Sequence, residues 1–164
     1  MSLHVESHGS GAQLLLIHGW GMHGGVWENI VPQLAQRFRV HCVDLPGHGL
    51  SDRSEDSGFG IKDSGFRIQD SGARSEHQAS PFTLDAVVQG LSAQFEGQLT
   101  VCGWSLGALV ALRWAQLAPD QVQRLVLVSS TPCFAEREDW LFGLAQETLQ
   151  QFGAELERDY TATL

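Results

Sequence analysis

At 164 residues, with 43% hydrophobic and 18% charged residues, the chain has the composition of one globular domain with material for a core. Ten Lys and Arg against 19 Asp and Glu give a formal charge of -9, which disfavours nucleic acid and anionic membrane surfaces as partners. No stretch approaches the roughly 18 apolar residues of a membrane span, Met1-Ser2-Leu3-His4-Val5-Glu6 lacks the pattern of a signal peptide, and Cys42, Cys102 and Cys133 lack the spacing of a disulfide or zinc framework. These features read as a cytoplasmic, reduced protein with no cofactor and no metal.

In chain order, Leu14-Leu15-Leu16-Ile17 reads as a strand buried on both faces that stops at His18-Gly19-Trp20-Gly21. Val26, Trp27, Ile30, Val31, Leu34 and Phe38 recur at helical spacing, with Pro32 as the weak point. Val40-His41-Cys42-Val43 is a second strand, ending at Asp44-Leu45-Pro46-Gly47-His48-Gly49, where Asp44 reads as a turn former capping backbone N–H groups. Leu84, Val87, Val88 and Leu91 mark a helix after Pro81. Leu99-Thr100-Val101-Cys102 is a strand, 105–117 a helix stopped near Pro119, and Leu125-Val126-Leu127-Val128 one more strand. Residues 138–157 then read as helical, with Leu141, Leu144, Ala145, Leu149 and Phe152 on the apolar side. Such alternation predicts an α/β fold, a mostly parallel sheet with helices on both faces.

Residues 53–79 stand outside the alternation. Asp-Ser-Gly recurs at 56, 63 and 70, and a segment so rich in Ser, Gly and Asp buries too little surface to offset the entropy of ordering it. A dispensable, disordered insertion is the expectation.

The chemistry centres on Gly103-Trp104-Ser105-Leu106-Gly107, placed between a strand and a helix. This is the nucleophile-elbow pattern, in which Gly103 and Gly107 allow close backbone approach and Ser105 is raised at the positive end of the helix. Acyl transfer also needs donors for the developing oxyanion; the N–H of Leu106 is one candidate and that of Trp20 the other. All seven histidines (His4, His8, His18, His23, His41, His48 and His77) precede Ser105. Where this elbow occurs, the order is Ser, then Asp or Glu, then His, so none of the seven stands where a base belongs. His18 and His23 make a weak metal site, having no carboxylate at ligand spacing.

His18-Gly19-Trp20-Gly21, Val43-Asp44-Leu45-Pro46-Gly47-His48-Gly49, Gly103-Trp104-Ser105-Leu106-Gly107 and Ser129-Ser130-Thr131-Pro132-Cys133-Phe134 together resemble the α/β-hydrolase superfamily. Within it, the Trp after His-Gly and the Trp inside the elbow resemble the family of pimeloyl-[acyl-carrier protein] methyl ester esterases of biotin synthesis. The resemblance implies a serine carboxylesterase without cofactor, acting on an ester carried by acyl carrier protein, with Ser105 as nucleophile, Trp20 and Leu106 at the oxyanion and Trp104 lining the acyl site. It further implies that 1–134 are the N-terminal part of an α/β-hydrolase core and 135–164 the start of a helical lid, with the triad Asp and His both absent, so that the chain reads as truncated. Glu136, Glu138, Asp139, Glu147, Glu155, Glu157 and Asp159, against Arg137 and Arg158, make that end acidic, unlike a surface for an acidic carrier protein. Two other readings stand beside this one: a broad small-ester esterase, and a non-catalytic remnant that at most binds. Half a sheet also predicts non-specific self-association through the last strand.

Overall fold

A computed structural model describes residues 2–51 and 83–158. The 53–79 insertion lies outside the described residues. The elements are β1 (Val5–His8), β2 (Ala12–Ile17), a 3-10 turn (Gly24–Trp27), α1 (Val31–Leu34), β3 (Phe38–Val43), α2 (Leu84–Ser92), β4 (Leu99–Trp104), α3 (Leu106–Leu117), β5 (Val122–Val128) and α4 (Gln146–Arg158). The strands form one sheet in the order β1-β3-β2-β4-β5. β1 runs antiparallel to β3, and the other pairs are parallel.

The central strand β2 explains the unbroken run of Leu14 to Ile17. Successive side chains leave opposite faces of a strand, and here both faces are covered. Leu15 and Ile17 enter the core under α2 and α3, with Val43, Leu91, Val101 and Trp114. Leu14 and Leu16 enter the other, with Val31, Val40 and Cys42, against Trp27 and Leu34. Trp114 is the largest fully buried side chain. Its indole N–H donates to Gln121 Oε1 at 2.8 Å, and Gln121 Nε2 donates to the carbonyls of Ser92 (3.1 Å) and Phe95 (2.6 Å), so one polar chain joins α3, the approach to β5 and the end of α2. Across the outer surface of the same two helices, Arg113 makes a two-pronged ion pair with Asp85.

Two expectations need correction, and one strand has no counterpart among them. The helix expected over 26–38 is two short pieces, the 3-10 turn and α1, because Pro32 lacks the N–H that a continuous helix needs; it is accommodated in the first turn of α1. The helix expected from 138 begins only at Gln146. Residues 135–144 instead fold back on themselves, with isolated bridges between Ala135 and Leu144 and between Arg137 and Trp140. Gly143 makes that possible, since a Cβ there would run into the backbone of Ala135 and Glu136. Finally β1, which the apolar pattern does not mark, adds an antiparallel edge strand on β3.

Trp114→Ala is expected to cost about 3–5 kcal/mol, through lost burial, the cavity left behind and the stranded Gln121 amide. A urea titration reads this, and a change below about 1 kcal/mol would show that the core repacks around the gap. At the opposite end of the sheet from β1, β5 has no strand on its outer side among the described residues, and Val126, Leu127 and Val128 are 45%, 44% and 39% exposed. An apolar edge of this kind templates pairing with other chains. The chain is therefore expected to self-associate in size-exclusion chromatography, and Leu127→Lys to move it toward the monomer; monomeric elution of the parent chain would contradict this.

Candidate active site

Ser105 is the one residue between β4 and α3. Its backbone sits at φ 52° and ψ -114°, a region that L residues rarely occupy and that persists only where neighbouring contacts impose it. Those contacts come from both sides. The Ser105 N–H donates to the Val128 carbonyl at the end of β5 (2.9 Å), and its carbonyl accepts from the Ala108 N–H (3.0 Å) and the Ser130 hydroxyl (3.3 Å). The Ser105 hydroxyl makes no capping hydrogen bond, which separates it from an ordinary helix N-cap serine. Gly103 and Gly107 are glycines because of space: a Cβ at 103 would strike the Gly107 carbonyl, and one at 107 would strike the carbonyls of Ile17 and His18.

The loop after β2 lies directly against this turn. A Cβ built on Gly19 would be 3.4 Å from Ser105 Cβ and 3.6 Å from the Trp104 carbonyl. The Met22 N–H donates to the Gly19 carbonyl at 3.3 Å, closing a tight turn whose third residue, Gly21, has φ 74°, a value that favours glycine. Among the described residues neither the Trp20 N–H nor the Leu106 N–H has a hydrogen-bond partner. Trp20 packs edge-on against Phe152 of α4 at 5.7 Å, and Trp104 edge-on against Trp27 at 6.3 Å. Sequence reasoning had no signal for Phe152 or Trp27 as neighbours of the site, since both contacts join distant segments.

The buried polar residues brace this loop against the one after β3. Asp44 accepts from the Gly24 N–H (2.6 Å) and the Leu50 N–H (2.8 Å), the capping role expected of it. His18 accepts from the Leu45 N–H (2.9 Å) and donates to the Gly19 carbonyl (2.7 Å). His48 accepts from the Gly21 N–H (3.2 Å) and donates to the Pro46 carbonyl (2.9 Å). His41 is buried beside Ser7, whose hydroxyl is 2.8 Å from its Nδ1, and against the ring of Phe95. None of these rings bonds Ser105.

Burial sets the electrostatics. It lowers the His18 pKa to about 4, outweighing the backbone bond to Gly19 that favours the charged ring. Burial, with help from Glu6 and Asp44, raises the Cys42 thiol to about 11, and burial alone raises Cys102, so neither supplies a thiolate near neutral pH. Among the described residues no three His, Cys, Asp or Glu side chains are grouped to hold a metal ion.

A family model described as alpha/beta hydrolase fold matches residues 13–148. The chain belongs to the α/β-hydrolase family. It is 44% identical over 164 residues to the pimeloyl-[acyl-carrier protein] methyl ester esterase of Nitrosomonas europaea, covering 99% of this chain and 55% of that protein. To the protein of the same name from Chromobacterium violaceum it is 38% identical over 165 residues, covering 100% of this chain and 55% of the relative. The chain thus spans about half the length of these curated relatives. Among solved structures, the esterase EaEST from Exiguobacterium antarcticum superposes with a TM-score of 0.71 at 21% identity, covering 98% of this chain and 54% of that one. That likeness is one of fold.

The depressed His18 pKa has a sign that stability measurements can read. Between pH 6.5 and about 4 the unfolded chain takes up a proton that the folded ring refuses, so the free energy of unfolding falls as the pH drops through this window, by about 3 kcal/mol in full. Urea titrations at intervals from pH 7 to 4.5 should show the fall, and His18→Gln should flatten it; identical slopes in the two proteins would remove His18 as its source.

Proposed function

We propose that Ser105 is the nucleophile of a serine carboxylesterase and that the ester it attacks is the methyl ester of a pimeloyl chain on acyl carrier protein. The observation that carries the reading is the Ser105 backbone, held at φ 52° between a parallel strand and a helix with its hydroxyl uncapped. The substrate is taken from the relatives' name, whose sequences match this chain end to end.

In this reading Ser105 Oγ adds to the ester carbonyl, and the N–H groups of Trp20 and Leu106, both without partners among the described residues, receive the negative charge on the carbonyl oxygen. Collapse expels methanol and leaves an acyl-serine, which water then hydrolyses to the free carboxylate. Trp104 lines the acyl side. The proton of Ser105 needs an imidazole, and His18 and His48 have both ring nitrogens bonded to backbone. No histidine among the described residues is assigned as the base, in keeping with the order Ser, Asp or Glu, His in this fold. Residues 135–158 are assigned to a cap, with Phe152 seated on Trp20.

Without the base, an oxyanion hole and binding still leave about 1000 to 10000-fold over water. Exposure of this chain to an activated ester at pH 9 for hours is therefore expected to acylate Ser105, as read by mass spectrometry, and to leave Ser105→Ala unlabelled at the corresponding peptide. A brief fluorophosphonate exposure at pH 7 is expected to stay at background. Pimeloyl-[acyl-carrier protein] methyl ester should protect Ser105 from the slow label, and carrier protein without an acyl group should not. Acyl label spread over other hydroxyls with Ser105 unmarked would contradict the nucleophile; fast labelling at pH 7 would mean that a base lies among these residues.

A further inference from the structure

Trp20 stands between two peptide units, and a different histidine holds each. His18 Nε2 accepts from the Leu45 N–H, so its proton must be on Nδ1, and that N–H donates to the carbonyl of the Gly19–Trp20 peptide at 2.7 Å. His48 Nε2 accepts from the N–H of the Trp20–Gly21 peptide at 3.2 Å, which puts its proton on Nδ1 too, donated to the Pro46 carbonyl. The two rings lie 5.2 Å apart and are both buried. A trans peptide is planar with its C=O and N–H on opposite sides. Holding the Gly19 carbonyl toward His18 therefore turns the Trp20 N–H the other way, and that N–H is the one left without a partner among the described residues. Holding the Gly21 N–H stops the second peptide from rotating and carrying Trp20 with it.

We propose that His18 and His48 are positioning residues for the oxyanion loop, each locked in the Nδ1–H form by a backbone N–H and each fixing one of the two peptide units that flank Trp20. This role rests on Trp20 being an oxyanion donor, as proposed above. Neither ring exchanges a proton with substrate. Burial keeps His18 neutral well below pH 7, so the clamp holds across the range in which an esterase works.

The clamp makes opposite demands at the two positions. An Asn amide reaches where Nδ1 of histidine sits and a Gln amide reaches where Nε2 sits. At 18 the bond that orients the loop is the Nδ1 donor, so His18→Asn should retain Ser105 acylation at pH 9 to within about tenfold while His18→Gln loses about 100-fold, the usual consequence of one misplaced oxyanion donor. At 48 the orienting bond is the Nε2 acceptor, so His48→Gln should retain the rate and His48→Asn should lose it. Rates are compared for folded protein, with melting curves run alongside. Equal losses for Asn and Gln at both positions, or no loss in any variant, would overturn the proposal, because a merely structural role predicts no crossed pattern. A two-bond nitrogen–proton correlation spectrum supplies an independent readout: both rings should be neutral and protonated at Nδ1 at pH 7, and a ring protonated at Nε2 would overturn the clamp. If the parent chain shows no Ser105 acylation at all, the esterase reading fails by itself, and the tautomers still decide whether the loop is held as described.

Discussion

Ser105 stands where it does because α3 turns back onto the strands immediately after it, with its first turn almost touching the end of β2. Gly107 lies against the carbonyls of Ile17 and His18, and Gly103 against Gly107 itself. Any side chain at either position would push α3 away from the sheet, relax the strained serine and separate it from Gly19, where even an added Cβ would already be in van der Waals contact with Ser105 Cβ. The packing of the nucleophile, the helix behind it and the loop proposed to bind the oxyanion thus reduces to one steric constraint. The β5 end adds the other half of the restraint, through the bonds from Ser105 to Val128 and from Ser130 to Ser105.

Around that point the polar interior serves as bracing. Asp44, His18 and His48 are buried and each is matched to backbone groups of the loops after β2 and β3. Buried polar groups are tolerable only when paired, so these three side chains make the conformation of the site loops and the stability of the fold one problem. Losing an acceptor here leaves a backbone N–H orphaned in the interior, at a cost of about 1–3 kcal/mol, besides loosening the loop.

Much of this was legible in the residues. β2 was legible because a strand covered on both faces carries the unbroken apolar run Leu14 to Ile17, and the elbow because its glycines have a steric cause that holds wherever strand, serine and helix meet. The bracing role of Asp44 followed from turn chemistry. What was illegible depends on contacts between distant segments. β1 reads Val-Glu-Ser-His, mostly exposed, and is a strand only because β3 offers it an edge. The stretch around Leu141 and Leu144 has helical spacing, yet bonds from Leu144 to Phe134 (2.7 Å) and from Glu136 to Leu144 (2.9 Å) override it. Likewise, chain order set His18 and His48 aside as bases, while their partners, which give them their role, could be known only from the fold.

The steric constraint at Gly107 can be measured directly, because two physical effects there have opposite signs. In a helix interior, Ala is normally more stable than Gly by roughly 0.5–1 kcal/mol. If Gly107 is where α3 meets the carbonyls of Ile17 and His18, Gly107→Ala must instead destabilise the chain, by the roughly 1–3 kcal/mol typical of an overpacked contact. The unfolding free energy of this one variant, from a denaturant titration against the parent chain, decides the matter: a loss is the expected result, and a gain would contradict the close approach on which the whole site rests.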